Sequence, residues 1–262
     1  MKTRLDAELV RRGLARSREH AADLIESRSV LVIGIPATKP ATQVDAETSI
    51  TIAGDRDDYV SRGGHKLAGA LDAFPQIEVA GKRALDAGAS TGGFTDVLLK
   101  REVGSVVAVD VGYGQMAWEI RQDPRVTVLD RTNVRHLTIE QIGDPADLIV
   151  ADLSFISLSL VLPALVSVSR TSADFLVMVK PQFEVGREKL GAGGVVRDPA
   201  LRKSAVKDVA DAAYDMGLGC YGVVASSLPG PSGNVEYFLW LKRGSDEISD
   251  EALDHAISEG PQ

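Results

Sequence analysis

Four ionisable side chains stand where this chain could do chemistry, three of them because each closes or interrupts an apolar stretch. Asp152 follows Leu148-Ile149-Val150-Ala151, and Lys180 follows Leu176-Val177-Met178-Val179 and precedes Pro181, which ends that strand. Glu236 lies in Gly233-Asn234-Val235-Glu236-Tyr237-Phe238-Leu239-Trp240, an otherwise apolar final strand. Lys66 lies in Ser61-Arg62-Gly63-Gly64-His65-Lys66-Leu67, just ahead of the sheet. Singly, such residues are usually solvated strand ends. Together, two amines and two carboxylates are equipment for moving a proton. In an open α/β sheet ligands bind outside the carboxyl ends of the strands, so Asp152 and Lys180 are expected to face one crevice.

A glycine-rich loop should share that crevice. Leu85-Asp86-Ala87-Gly88-Ala89-Ser90-Thr91-Gly92-Gly93-Phe94-Thr95 runs from an apolar strand into a helix, and glycines there let the backbone lie against a ligand. The candidate cofactor contacts are Asp86, Gly88, Ala89, Ser90, Gly92, Gly93 and Phe94. Ser90 takes the place of the middle glycine of G-x-G-x-x-G, the one that admits a pyrophosphate, so a dinucleotide fits poorly. Asp110 ends the next strand, 24 residues after Asp86, where a carboxylate accepts both hydroxyls of a ribose. Asp130 ends the third strand and is expected near an adenine edge. The combination reads as an S-adenosylmethionine site. The plain alternative is a structural turn flanked by two solvated aspartates.

Positioning these residues requires a sheet. Residues 80–243 alternate short apolar strands with helices, the pattern of a parallel α/β sheet. Strands are expected at 83–87, 105–109, 126–129, 148–151, 175–179 and 235–241. Residues 1–50 form a smaller α+β unit. Leu5, Leu9, Val10 and Leu14 recur at helical spacing, and Ser17 caps a second helix carrying Ala21, Ala22, Leu24 and Ile25. Strands follow at 30–35 and 49–53, and then a polar segment, Gly54-Asp55-Arg56-Asp57-Asp58, reads as a linker. The expected fold class is α/β, a Rossmann-like sheet with a small α+β unit in front.

Composition narrows the functions. With 262 residues, 44% of them hydrophobic, the chain can bury a core without metal or disulfide staples. One cysteine, Cys220, excludes a disulfide framework and a multi-cysteine zinc site, so no metal is expected. The longest apolar run, near 158–168, is too short for a membrane helix, and charge fills the first twenty residues where a signal peptide would be apolar. A cytoplasmic protein with no membrane partner is expected. The net charge of −8 argues, read naively, against nucleic acid.

The motifs carry a resemblance. Residues 61–243 resemble the FtsJ/RrmJ-type ribose 2′-O-methyltransferases, and the whole chain resembles the TlyA, or haemolysin A-type, family of rRNA 2′-O-methyltransferases. The matching segments are Ser61 to Leu67, Asp86 to Thr95, Asp110-Val111-Gly112-Tyr113-Gly114-Gln115, Ala151-Asp152-Leu153-Ser154-Phe155-Ile156-Ser157, Val179-Lys180-Pro181-Gln182-Phe183-Glu184 and Pro229 to Tyr237. The resemblance implies a catalytic tetrad of Lys66, Asp152, Lys180 and Glu236. It implies an S4 RNA-binding domain at 1–56, a linker at 57–60 and a methyltransferase domain at 61–244, while residues 245–262 read from their own composition as an acidic, weakly helical tail. It further implies S-adenosylmethionine as cofactor and cytidine in the ribosomal RNA of both subunits as substrate.

That chemistry suits the residue types. A ribose 2′-hydroxyl holds its proton tightly, so methyl transfer needs in-line alignment and a base. Lys180 is the expected base, with the Lys66 ammonium and partial burial making it give up its own proton, and Asp152 and Glu236 orienting the amines. For RNA, Arg4, Arg11, Arg12, Arg16, Arg18 and Arg28 crowd the small unit, and arginine grips phosphate with a bidentate fork. A solvated helix face is the plain alternative for them. Competing functions are a non-catalytic ribosome-binding or assembly factor, a membrane-active haemolysin and a small-molecule methyltransferase. The charge itself is uneven. Residues 245–262 carry six acidic groups and no Lys or Arg, whereas the first 30 residues hold seven basic groups against five acidic.

Overall fold

The computed structural model describes residues 3–33, 35–45, 48, 50–52, 59–230 and 232–260. Of the expected linker, Asp57 and Asp58 lie outside the described residues, as do Gly54 to Arg56, the ends of the 49–53 strand and Pro231. The chain divides into two compact units, residues 1–58 and 59–262.

The smaller unit has two helices and two small sheets. Strand β1 (Thr3–Arg4) leads directly into helix α1 (Leu5–Arg11), and α2 (Arg18–Glu26) follows. Ser17 caps α2 by accepting from the His20 N–H, as its spacing predicts. Strands β2 (Val30–Val32), β3 (Ile35–Pro36), β4 (Gln43–Val44) and β5 (Ile50–Ile52) complete the unit. β4 pairs with β1, and β2 lies between β3 and β5. Leu5, Leu9, Ala21, Ile25 and Val30 are fully buried and form its core.

The larger unit is a layered α/β/α sandwich. Helix α3 (Arg62–Ala73) precedes strand β6 (Arg83–Ala87). Helix α4 (Gly93–Lys100), β7 (Ser105–Val109), α5 (Trp118–Arg121) and β8 (Val126–Leu129) carry the chain to one edge of the sheet. After α6 (Ile139–Ile142) it returns as β9 (Ala146–Ala151) on the other side of β6, and α7 (Leu162–Ser167) leads to β10 (Ser169–Val179). Helices α8 (Pro181–Glu184) and α9 (Pro199–Tyr214), strands β11 (Leu218–Ala225) and β12 (Tyr237–Arg243), and helix α10 (Asp250–Glu259) finish the fold. The strand order is β11-β12-β10-β9-β6-β7-β8.

Successive residues of each central strand enter opposite layers, which explains the unbroken apolar runs. Leu85, Val107, Ile149, Phe175 and Leu239 pack under α7, α9 and α10. Ala84, Val106, Leu148, Leu176 and Phe238 pack under α3, α4 and α5.

The structure departs from expectation at two strands and adds packing detail at the C-terminus. Strand β11 was not anticipated, because Gly219, Cys220 and Gly222 interrupt its apolar pattern. The final strand begins at Tyr237, so Glu236 precedes it, and it runs antiparallel to both neighbours in a sheet otherwise expected to be parallel. The acidic C-terminal residues, expected to be weakly helical, pack as a helix: in α10, Leu253, Ala256 and Ile257 are buried, and Lys203 of α9 pairs with Asp250 and Asp254. Four of the six acidic residues in this segment therefore belong to a packed helix.

Candidate active site

The chain reverses its direction of strand addition at β6, whose neighbours are β7 and β9, and at such a switch point the loops leaving the strands part to form a crevice. Here the crevice holds the glycine loop beside Asp152. The Asp152 N–H donates to the Ala87 carbonyl, and a Cβ at Gly88 would collide with the Asp152 carbonyl, so Gly88 must be glycine. Ser90 itself adopts a left-handed backbone, φ 47°.

Asp110 closes the loop from the β7 side. Its Oδ2 accepts from the Ser90 N–H at 2.8 Å and its Oδ1 from the Gly112 N–H at 2.7 Å. A cavity of about 510 Å³ is lined by Gly88, Ser90, Asp110, Gln115, Asn133 and Asp152, among others. A backbone cradle with no room for a Cβ, a carboxylate on its rim and a cavity of this size fit an adenosyl ligand.

The remaining loop residues support rather than line it. Gly92, in a left-handed conformation at φ 94°, caps α4, and Phe94 stacks on Phe238. Asp86 is fully buried beneath the loop, where Thr95 Oγ1 donates to its Oδ2 at 2.6 Å. Asp130 is the clearest departure: it pairs with Arg121 at 2.9 Å and does not line the cavity, whereas Asn133 does. The sequence pattern marked the end of the strand but not the turn after it.

Burial is the main reason the Asp86 carboxyl is pushed up to about 7; the negative charges of Asp152 and Asp110 add to the effect, and Thr95 opposes it. Between the carboxyl's unfolded value, near 4, and about 7, the folded protein holds a proton that the unfolded chain has released. Stability drawn from this group therefore falls as pH rises through that window. An Asp86→Asn variant lacks that decline. Its melting temperature relative to the wild type should rise between pH 5 and pH 8 in thermal melts, and a constant difference would refute the assignment.

The four polar residues separated by up to 170 positions form two ion pairs. Lys180 Nζ lies 2.6 Å from Asp152 Oδ1 and donates to Ser154 Oγ at 3.0 Å. Lys66 Nζ lies 2.5 Å from Glu236 Oε2. The antiparallel course of β12 makes the second pair possible, since Tyr237 is registered opposite Val179 and Glu236 thus falls beside the end of β10. An added Cβ at Gly63, one turn before Lys66, would sit 3.8 Å from Asp152 Oδ2, so the start of α3 reaches the first pair.

A second cavity, about 940 Å³, is lined by Lys180, Glu236, Arg135, Gln182, Phe183 and Asn234 among others. It shares Ser154, Phe155 and Ile156 with the smaller cavity. Phe155 has a left-handed backbone, φ 64°, and is 90% exposed, its ring 5.0 Å from that of Phe183. Sequence reasoning assigned neither ring a role, although both sit directly after a polar strand end. Among the described residues, no group of three His, Cys, Asp or Glu side chains could hold a metal ion.

Residues 59–243 match the FtsJ-like methyltransferase family and residues 3–50 match the S4 domain. A Mycobacterium tuberculosis protein named 16S/23S rRNA (cytidine-2′-O)-methyltransferase TlyA is 59% identical, covering 99% of both chains. The chain belongs to the TlyA family of FtsJ-like methyltransferases. A Campylobacter jejuni TlyA, named as a 23S rRNA (cytidine-2′-O)-methyltransferase, is 31% identical over 86% of this chain and 93% of that one. A Streptococcus thermophilus structure bearing the name hemolysin matches 98% of this chain and 96% of its own, with 35% identity and a TM-score of 0.77. As a TlyA-family enzyme, this protein uses S-adenosylmethionine, and its larger unit is the methyltransferase.

In the S4 unit the arginines are largely paired. Arg4 and Arg18 flank Asp6 at 2.8 and 3.0 Å, while Arg11 and Arg12 flank Glu8 at 2.5 and 2.7 Å. Hydrogen bonds from Arg4, ahead of Arg18, hold the Asp6 carboxyl well below the usual range, and those from Arg11 and Arg12 lower Glu8 to about 2. Arg12 also donates to the Thr48 and Asp45 carbonyls. The heads of Arg4, Arg11 and Arg18 still reach solvent, and Arg16 and Arg28 are exposed.

Proposed function

We propose that this protein transfers a methyl group to the ribose 2′-hydroxyl of cytidine in the ribosomal RNA of both subunits. The observation that carries the reading is the Lys180–Asp152 pair. Asp152 lines the smaller, cofactor-sized cavity and Lys180 the larger one, so the pair stands on the partition where donor and acceptor must meet. S-adenosylmethionine, when bound, supplies a methyl group activated by its sulfonium. Gly88 and Ser90 present backbone to it, and Asp110 accepts from its ribose.

The chain's own residues handle the acceptor. Lys180 first releases its own proton to solvent; the neutral Nζ then takes the proton of the attacking hydroxyl, and Asp152 stabilises the ammonium that re-forms, a contribution of about 10²–10⁴ in rate for a positioned base. Ser154 fixes the direction of the amine. Glu236, which lines the larger cavity, holds Lys66 in a buried, charge-balanced pair and so fixes that wall of the cavity. The exposed Phe155 ring, backed by the half-buried Phe183, suits an unstacked base, since RNA bases are read when turned out and laid on aromatic rings. The S4 unit supplies phosphate contacts through the solvent-facing heads of Arg4, Arg11, Arg16, Arg18 and Arg28, with Arg12 more deeply anchored.

The experiment is transfer of labelled methyl from S-adenosylmethionine to purified small and large ribosomal subunits, with 2′-O-methyl positions mapped afterwards. Label at cytidine riboses in both subunits supports the reading. Label on base atoms, or on neither subunit, overturns it. Deleting residues 1–58 should abolish transfer to subunits and leave cofactor affinity within about threefold, as expected when affinity for RNA resides in phosphate contacts. Calorimetric titration checks the second half, and a small-molecule methyltransferase would lose neither property. Among the described residues, no helix is long and apolar enough to cross a membrane.

A further inference from the structure

Glu184 has no part in the chemistry above, yet both of its carboxylate oxygens are engaged close to the larger cavity. It ends α8, four residues after Lys180, and its Oε2 accepts from Ser157 Oγ at 2.6 Å while its Oε1 accepts from the Leu158 N–H at 2.9 Å. Burial raises its carboxyl above the usual range, and the two donors oppose that shift. Both donors belong to the segment that leaves β9 just after Asp152.

We infer that Glu184 is a positioning residue that locks the loop after β9 to the turn after β10, and so sets the geometry of Lys180, Asp152 and Ser154. The inference rests on the methyl-transfer reading of the site. Three contacts join the two segments. At the near end, Lys180 meets Asp152 and Ser154. In the middle, the Phe155 ring lies against Phe183. At the far end, Glu184 holds Ser157 and Leu158. Between them Phe155 sits in a left-handed conformation that a residue with a Cβ keeps only when its surroundings enforce it. Without the far anchor the loop can relax about Phe155, and Ser154, one residue away, moves with it.

Chemistry at a base is sensitive to such movement, since a displacement of about 1 Å can cost on the order of 100-fold in rate. Glu184→Ala is expected to lower kcat about 10- to 100-fold at saturating cofactor and RNA. Cofactor affinity should change no more than about threefold, because Gly88, Ser90 and Asp110 are held by other bonds. Glu184→Gln should recover most of the loss. Its carbonyl can still accept from Leu158, and its amide can donate to Ser157 Oγ, whose hydroxyl then turns to Ser159, already 2.6 Å away. Adding Ser157→Ala to Glu184→Ala should reduce kcat little further, as for residues acting through one contact.

The assay runs the full-length wild type and each variant on ribosomal subunits, with melting temperature and cofactor titration measured on the same samples. A wild type that transfers normally beside a Glu184→Ala variant of equal kcat overturns the inference alone. Loss of kcat matched by equal loss of cofactor affinity and melting temperature, with no recovery in Glu184→Gln, also overturns it, because a merely structural residue behaves that way. A wild type that transfers no methyl overturns the catalytic reading and the inference with it.

Discussion

Lys180→Ala should lower kcat for methyl transfer by about 10²–10⁴-fold, the range of a positioned general base, while the cofactor dissociation constant barely moves. The asymmetry follows from where the side chain stands. Lys180 lines the larger cavity, and the residues proposed to cradle the cofactor make their bonds without it: Asp110 with Ser90 and Gly112, and Asp152 through its backbone with Ala87. Stability should change little as well. Asp152 is the partner left behind, and its side chain is 24% exposed, so water can take over from the ammonium. Single-turnover kinetics with saturating cofactor and RNA would separate the chemical step from binding. Transfer at more than about a tenth of the wild-type rate would remove Lys180 from the role of base.

Lys66→Met should behave quite differently, although both lysines belong to the same constellation. The Lys66 side chain is 8% exposed and that of Glu236 is 0% exposed. Removing the amine leaves a carboxylate that water cannot reach, and Glu236 Oε1 already has no hydrogen-bond partner among the described residues. Breaking one side of a buried pair costs about 3–5 kcal/mol. In a unit of this size that corresponds to a fall in melting temperature of roughly 6–20 °C. Adding Glu236→Gln to Lys66→Met should recover much of the stability, because no buried charge then remains, but not the activity. Thermal melts of the single and double variants decide the matter. A Lys66→Met protein as stable as the wild type would show that Glu236 finds another partner or takes up a proton at no cost.

Much of this arrangement was legible from residue order. Arg83–Ala87, Ser105–Val109 and Val126–Leu129 have the strand bounds expected of them, because strands buried on both faces leave unbroken apolar runs. The polar ends of β9 and β10 marked Asp152 and Lys180 for the same reason. Other features were hidden for physical causes. The first half of β10, Ser169 to Asp174, is polar and partly solvent-facing, so no apolar run announced it. Strand direction has no signature in a single strand, and the reversal of β12, which brings Glu236 to Lys66, could not be read from Val235 to Leu241. Asp86 and Asp110 look alike as strand-borne aspartates. Yet the side chain of one points into the packed layer under α4, and the other caps a turn at the crevice. Nor does spacing reveal that Arg4 of β1, Arg11 and Arg12 at the end of α1 and Arg18 of α2 converge on the buried Asp6 and Glu8 of α1.

The antiparallel return of β12 also bears on how the protein comes to be active as it is made. Lys66 and Glu236 are 170 residues apart, and at about 5–20 residues per second a ribosome needs roughly 10–30 s to synthesise the interval. Throughout that time the S4 unit, with its local helix–helix core, is complete in sequence, whereas the lysine of α3 has no carboxylate to enter the interior with. The last strand inserted between two others must therefore close the sheet and neutralise that charge in one event. A nascent or prematurely terminated chain lacking β12 is thus equipped to touch RNA before it is equipped to modify it.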